Sequence, residues 1–144
     1  MGRSEDREPK KALSLRWNAR LLEATHARAA RSDVSFNQLT ERYVAEGLRM
    51  DEHPLIYFRS GPRGRRPALM GTRLDVATVI ATVRQNDNSV DQAAGYLGIP
   101  RRHVEACVGY YVEFQVEVDD WIEQAEEEAA AAEISWRRRH EIFA

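Results

Sequence analysis

The chain has little of what locks a small fold covalently. Cys107 is the one cysteine among 144 residues. That excludes an intramolecular disulfide and any multi-cysteine metal centre, and a reducing, cytoplasmic location is the expectation. No apolar run approaches the roughly 18 residues of a membrane span, so a membrane is not an expected partner. The opening MGRSEDREPKK is charged and holds no apolar segment, so no secretory signal is read there. His26, His53, His103 and His140 are scattered without ligand spacing, and no metal or other cofactor is expected. Gly61-x-x-Gly64 is too short for a nucleotide-binding loop, and no Gly-Lys-Ser/Thr follows it. The carboxylates over 117–128 fall on one acidic helical stretch with no basic or aromatic substrate contacts nearby in sequence. Cys107 stands beside Val104, Val108 and Tyr111 on an apolar helical face, where inert packing is expected. The chain therefore reads as something other than an enzyme.

What is present is charge, unevenly placed. The total is −2, but residues 1–73 carry +6 and residues 74–144 carry −8. A basic front and an acidic back suggest two different partners. The alternative is a dipolar protein whose charges serve only to solvate it.

At the front, ALSLRW (12–17) alternates Leu13, Leu15 and Trp17 with Ala12, Ser14 and Arg16, the periodicity of a half-buried strand. Asn18 is a good helix cap, and Ala19 to about Arg31 is rich in helix formers, with Leu21, Leu22, Thr25 and Ala29 as an inner stripe. Ser32-Asp33 ends it. Ser35 caps a second helix over about Phe36–Arg49, whose apolar residues Phe36, Leu39, Tyr43, Val44, Gly47 and Leu48 recur at three- and four-residue steps. About forty residues of strand, helix, turn and helix cannot make an independent core. A second copy solves this: two strands pair antiparallel about a two-fold axis and set their apolar faces on four helices.

These residues, KALSLRWNARLLEATHARAARSDVSFNQLTERYVAEGLR, resemble a ribbon-helix-helix domain of the Arc, MetJ and CopG kind. The resemblance implies a homodimer that reads operator DNA with its two-stranded ribbon in the major groove. It places Ala12, Ser14 and Arg16 at the bases and Lys10 and Lys11 near phosphates. Arginine can fork onto guanine, and serine is permissive. Ser35 to Asn37, at the start of the second helix, can offer backbone N–H groups to a phosphate. A dimerisation module with no DNA role is the alternative.

MDEHP (50–54) is a composition shift and reads as a junction. Ile56-Tyr57-Phe58 and Ala68-Leu69-Met70 read as two short strands around the turn-rich Ser60–Gly64, a hairpin ending at Gly71-Thr72-Arg73. Arg59, Arg63, Arg65, Arg66 and Arg73 on this segment can track a phosphate backbone. They can equally bind an acidic partner or the acidic tail of this same chain. Asp75 caps a helix bearing Val76, Val79, Ile80 and Val83, and QNDN ends it. Ser89 caps the next, with Val90, Ala93, Ala94 and Leu97 inside; Gly98 stops it. Pro100 opens a third in its favoured first-turn position, with Val104, Cys107, Val108 and Tyr111 facing inward. SVDQAAGYLGIPRRHVEACVGYY is thus a helix-turn-helix pattern. If it reads DNA, Arg101, Arg102 and His103 stand at the recognition-helix start; such trihelical units also serve protein contacts alone.

From His53 to about Glu127 the chain resembles a small domain found in VapB-like antitoxins, through its opening HP, GTRLDVATVI, SVDQAAGYLGI and RRHVEACVGYYVEF…VDDWIEQAEEE. In relatives a GxPxxxGTR segment directly follows the opening strand; here it is the longer SGPRGRRPALMGTR. This resemblance implies a type II toxin–antitoxin protein whose partner is a PIN-like ribonuclease.

The tail carries nine acidic residues and no basic one over 113–133. Val118, Ile122, Ala125, Ala129, Ala132, Trp136, Arg139 and Phe143 step by four and three, a thin seam along a helix of about 25 residues. WRRRHEIF then reverses the sign. The seam either packs on its own domain or enters a partner's groove, anchored by Trp136 and Phe143. In the second case one of Arg137, Arg138 or Arg139 enters the metal-binding carboxylate cluster of the ribonuclease, where a guanidinium can pair bidentately.

The expected fold is mainly α: residues 1–9 a flexible N-terminus, 10–50 a ribbon-helix-helix domain, 51–117 a hairpin with a helix-turn-helix, and 118–144 a C-terminal helix for the toxin. The expected function is a dimeric DNA-binding antitoxin and autorepressor. A stand-alone ribbon-helix-helix regulator without a toxin is the rival, and a scaffold that only dimerises is the third reading.

Overall fold

The computed structural model describes residues 8–143. The expected flexible stretch 1–9 lies outside these up to residue 7. The fold is mainly α with one antiparallel hairpin: α1 (Ala19–Arg31), α2 (Phe36–Glu52), β1 (Ile56–Gly61), β2 (Gly64–Leu69), α3 (Val76–Gln85), α4 (Val90–Leu97), α5 (Arg101–Glu113) and α6 (Gln115–Ile142). The chain divides into two compact units, one up to Tyr43 and one from Val44 on, with the boundary inside α2. The junction expected at 50–54 is helical as far as Glu52.

In the first unit the helices begin where their caps dictate. The Asn18 side chain accepts from the N–H groups of Arg20 and Leu21 at 3.0 and 3.3 Å. Ser35 and Gln38 form a reciprocal capping box, each side chain taking the other's backbone N–H, at 3.1 and 3.0 Å. Between the helices Asp33 takes a left-handed φ of 53°, a conformation that short polar side chains tolerate. The strand expected over 12–17 does not form within the single chain: residues 8–18 have no regular secondary structure. A strand needs a neighbour to pair its backbone groups, and within the described residues of this unit there is no other strand. Trp17 instead packs on Phe36 at 5.8 Å between ring centroids, and His26 stacks on the same ring at 4.3 Å. The buried side chains of this unit are Thr25, Ala29 and Leu39. Leu21 and Leu22, expected on the inner stripe, are exposed, as are Leu13, Leu15 and Tyr43.

The second unit has a real core. Ile56 and Leu69 from the hairpin, Val76, Val79, Ile80 and Val83 from α3, Ala93 and Ala94 from α4, Val104, Cys107 and Tyr110 from α5, and Val118 and Ile122 from α6 form one buried cluster. The hairpin is tighter than the turn-rich segment suggested. β1 and β2 pair from Ile56↔Leu69 to Gly61↔Gly64, so only Pro62 and Arg63 are in the turn, and Gly64 takes φ 119°. Counting outward from that closing pair, Phe58↔Pro67 is a non-hydrogen-bonded pair, so the missing proline N–H costs the ladder nothing. The second strand ends at Leu69, not Met70. There the chain turns through Gly71 (φ 78°), with the Thr72 hydroxyl donating to the Leu69 carbonyl at 2.8 Å and accepting from the Leu74 N–H at 3.0 Å.

The three expected helices of the helix-turn-helix pattern all form. Ser89 caps α4 through the Gln92 N–H at 3.2 Å, and Gly98 ends it at φ 67°. Pro100 stands one position earlier than expected, as the N-cap of α5. On α5 Val104 and Cys107 are buried as expected, Tyr110 is fully buried beside them, and Val108 and Tyr111 are half-buried at the margins. α6 has 28 residues, so at about 1.5 Å per residue it is about 42 Å long. Only its first part is packed: Val118 and Ile122 are buried, and every described residue from Ala125 to Phe143 is exposed.

Candidate nucleic-acid and partner interfaces

The residues assigned to operator contact lie on the irregular N-terminal segment and at the start of α2. Lys10, Lys11, Ala12, Ser14 and Arg16 are all exposed. Lys10 already has a carboxylate partner, Glu41 of α2, at 3.0 Å. Both groups are well exposed, so the pair contributes little and yields readily to a phosphate. Ser35 and Asn37 are exposed at the N-terminus of α2. The Ser35 N–H, expected to be available to a phosphate, instead donates to Gln38. An anion at this helix end meets the N–H groups of Phe36 and Asn37 and the positive end of the dipole.

The hairpin arginines are brought to carboxylates of the chain itself. Arg65 grips Glu46 with Nε and Nη2 at 2.7 Å each. Arg59 holds Asp75 at 2.6 Å, and Arg66 stands 3.2 Å from the other oxygen of the same carboxylate. Asp75 is the expected cap residue of α3, but its side chain makes no capping bond, because two guanidinium groups claim it. Arg63, at the hairpin tip, pairs with Glu128 of α6 at 2.5 Å. Of the alternatives weighed for this segment, Arg63 therefore takes the acidic tail of its own chain. On the helix-turn-helix, Arg101 is held by Asp91 and Glu105 at 2.8 and 2.9 Å. Arg102 is exposed. With these charges offset inside the unit, Arg63, Arg65, Arg66 and Arg101 do not form a bare cationic patch.

The tail residues lie on the unpacked part of α6. Trp136 is 60% and Phe143 88% exposed, with Arg137, Arg138 and Arg139 also exposed. Arg137 pairs with Glu133 one turn back at 2.5 Å, a surface i,i+4 bridge. His140 lies against Trp136 with ring centroids 3.8 Å apart, and its Nδ1 donates to the Trp136 carbonyl at 2.9 Å. Seam residues Ala125 and Ala129 line a groove of about 700 Å³ between the hairpin tip, α3, α4 and α6.

Two clusters escaped the reading of the sequence, and both fasten α6 to the core. Arg49 donates to the Tyr110 hydroxyl at 2.8 Å and to Glu117, and its guanidinium lies over the Phe114 ring at 4.1 Å. Arg84 likewise bridges the Tyr111 hydroxyl and Asp119, the latter at 2.6 Å. Adjacent tyrosines leave α5 in different directions, and each finds an acid seven or eight residues on and an arginine from another helix. YY followed at that spacing by Glu and Asp is the signal, though the arginine donors are far away in sequence. Burial and the Glu117 charge push the Tyr110 hydroxyl well above its usual range, so it stays a donor. The Arg84 hydrogen bond holds the Asp119 carboxyl below the usual range, against a small opposing effect of desolvation. Burial pushes the Cys107 thiol up to about 12, the inert state expected of it.

Among the described residues no cluster of three or more His, Cys, Asp or Glu is placed to hold a metal ion, and no helix is long and apolar enough to cross a membrane. No family model matches the chain, and neither a curated relative nor a solved structure does.

Proposed function

We propose that the chain is a dimeric, DNA-binding antitoxin that represses its own operator and neutralises a PIN-like ribonuclease. One observation carries the first half. A two-helix unit that, among its described residues, buries only Thr25, Ala29 and Leu39 is preceded by an alternating segment whose Leu13 and Leu15 are 79% and 60% exposed. Pairing that segment antiparallel with its copy satisfies both its backbone groups and its apolar face. A ribbon so formed turns Ala12, Ser14 and Arg16 outward together, with Lys10, Lys11 and the α2 N-terminus flanking them. The ribbon-helix-helix likeness of residues 10–50 supports this use of the surface.

The second half rests on the VapB-like pattern of the second unit and on the exposed end of α6. Trp136 and Phe143 are large apolar anchors beside three arginines, the composition of a segment that enters an acidic, metal-binding cleft. The rival, a stand-alone regulator, leaves that surface without a use. Arg16→Ala is expected to weaken specific operator binding by about 1–3 kcal/mol with the dimer intact. Unchanged affinity removes Arg16 from the interface. Co-purification with the product of a neighbouring small reading frame, abolished by deleting 134–144 while operator binding persists, tests the toxin contact. Retained inhibition by the truncated chain sinks that assignment.

A further inference from the structure

The exposed half of α6 and the groove at its base are complementary to each other, though one chain cannot bring them together. The groove is walled by Pro62 and Arg66 of the hairpin, Thr78 of α3, Tyr96 of α4, and Trp121 and Ala125 of α6. Tyr96 is an aromatic left 77% exposed at its rim. The helix that leaves this groove carries Ile134, Trp136, Ile142 and Phe143, all more than half exposed. Its charge is split along its length. Residues 115–133 hold eight carboxylates and no cation, and 134–143 hold three arginines, His140 and a single acid.

We infer that the C-terminal half of α6 pairs antiparallel with the same helix of a second copy and delivers each Phe143 into the other copy's groove. The inference stands on the second unit alone and does not depend on the operator reading; it uses the face proposed for the toxin, so a second copy and the toxin exclude each other there. A two-fold axis at the level of residue 134, whose own side chain faces outward, sets Trp136 against Ala132 of the second copy, Arg139 against Ala129 and Phe143 against Ala125. Every large seam residue then meets an alanine, so the thin part of the seam becomes the space that the thick part fills. Ala125 and Ala129 are also the α6 residues at the groove, so Phe143 arrives between Tyr96 and Trp121. The same arrangement lays the basic end, 137–140, of one helix along the acidic stretch of the other, with Glu126 the nearest acid because Glu127 faces outward and Glu128 is held by Arg63, while a parallel pair would set like charges side by side. The one like pair near the axis, Glu133 with its copy, is relieved because each Glu133 is already held by Arg137 at 2.5 Å.

The register places Ser135 beside its own copy across the axis and puts Glu127 on the outer face. The full chain carrying Ser135→Cys, gently oxidised at micromolar concentration, is expected to give at least tenfold more disulfide-linked dimer than the Glu127→Cys chain. Cys107 is buried and can stay. Adding Trp136→Ala and Phe143→Ala is expected to return the yield to the control level. The link is expected to survive Leu13→Asp with Leu15→Asp, which blocks the ribbon, so the two contacts fail or hold separately. Equal yields at 135 and 127 overturn the pairing. So does a link lost in the ribbon-blocked chain, or one indifferent to Trp136 and Phe143. A face protected only when a different protein is added would belong to that partner and not to a second copy.

Discussion

If the N-terminal segment is half of an intermolecular ribbon, its two leucines hold the dimer together, and removing them has a calculable effect. Leu13 and Leu15 are 79% and 60% exposed in the single chain, so most of their burial must come from a second copy. Fully burying a leucine is worth about 1.5–3 kcal/mol, of which truncation to alanine removes about 1.5 kcal/mol. Scaled by the exposed fraction, Leu13→Ala with Leu15→Ala takes about 2 kcal/mol from each chain and about 4 kcal/mol from the dimer. At 1.4 kcal/mol per decade the dissociation constant rises about a thousandfold. Sedimentation with fluorescence detection, from nanomolar to micromolar chain, reads the shift directly in a background carrying Trp136→Ala and Phe143→Ala, which removes the α6 contact. The helices of the second unit should be unaffected, since Leu13 and Leu15 lie outside its core, and circular dichroism of that transition is the control. A dissociation constant that moves less than threefold, or a wild-type chain that stays single and folded at micromolar concentration, refutes the intermolecular strand and the operator surface built on it.

Further expectations concern the second unit. At pH 8 native Cys107 should react with a disulfide reagent about a thousandfold more slowly than in the unfolded chain, because its pKa of about 12 against 9.0 leaves that much less thiolate; equal rates would place the thiol at the surface. By the same linkage this group's contribution to stability is full below pH 9 and falls as pH rises toward 12, where only the unfolded chain ionises. Gly98→Ala should cost about 1–2 kcal/mol in urea unfolding, since its φ of 67° strains any Cβ while no neighbouring atom crowds the position; a neutral result would mean the α4–α5 turn takes another form. Arg49→Ala should cost about 2 kcal/mol by leaving the half-buried Glu117 carboxylate without its cation, with the Tyr110 hydroxyl at 3.3 Å as its remaining donor. Glu117→Gln in the same chain should restore part of that loss; strictly additive losses would show that the three groups do not act together.

Local chemistry settled most of the element boundaries. Asn18, Ser35, Ser89 and Gly98 act as start and stop signals within a residue or two of each position, so α1, the start of α2, α4 and the turn into α5 are legible from the chain alone. The four apolar positions of α3 repeat at helical spacing and are all buried, with Thr82 beside them. The long tail helix, its seam and its charge reversal were equally readable, because a helix face is set by periodicity whatever it meets.

What periodicity cannot supply is the identity of the neighbour. Arginines with no near acid in sequence read as free cations. Folding brings Glu46 to Arg65, Asp75 to Arg59 and Arg66, and Glu128 to Arg63. Leu21 and Leu22 read as core because they lie on the stripe, yet both stay partly exposed, at 56% and 37%. Alternation in ALSLRW marks a strand, but a strand exists only beside another, and among the described residues none pairs with it. The sequence by itself determined where helices begin, end and turn their apolar sides, since those depend on contacts within a few residues. Only the tertiary structure decided which charges are neutralised, which tyrosines are anchored and which apolar faces stay open, since those depend on residues tens of positions apart meeting in space.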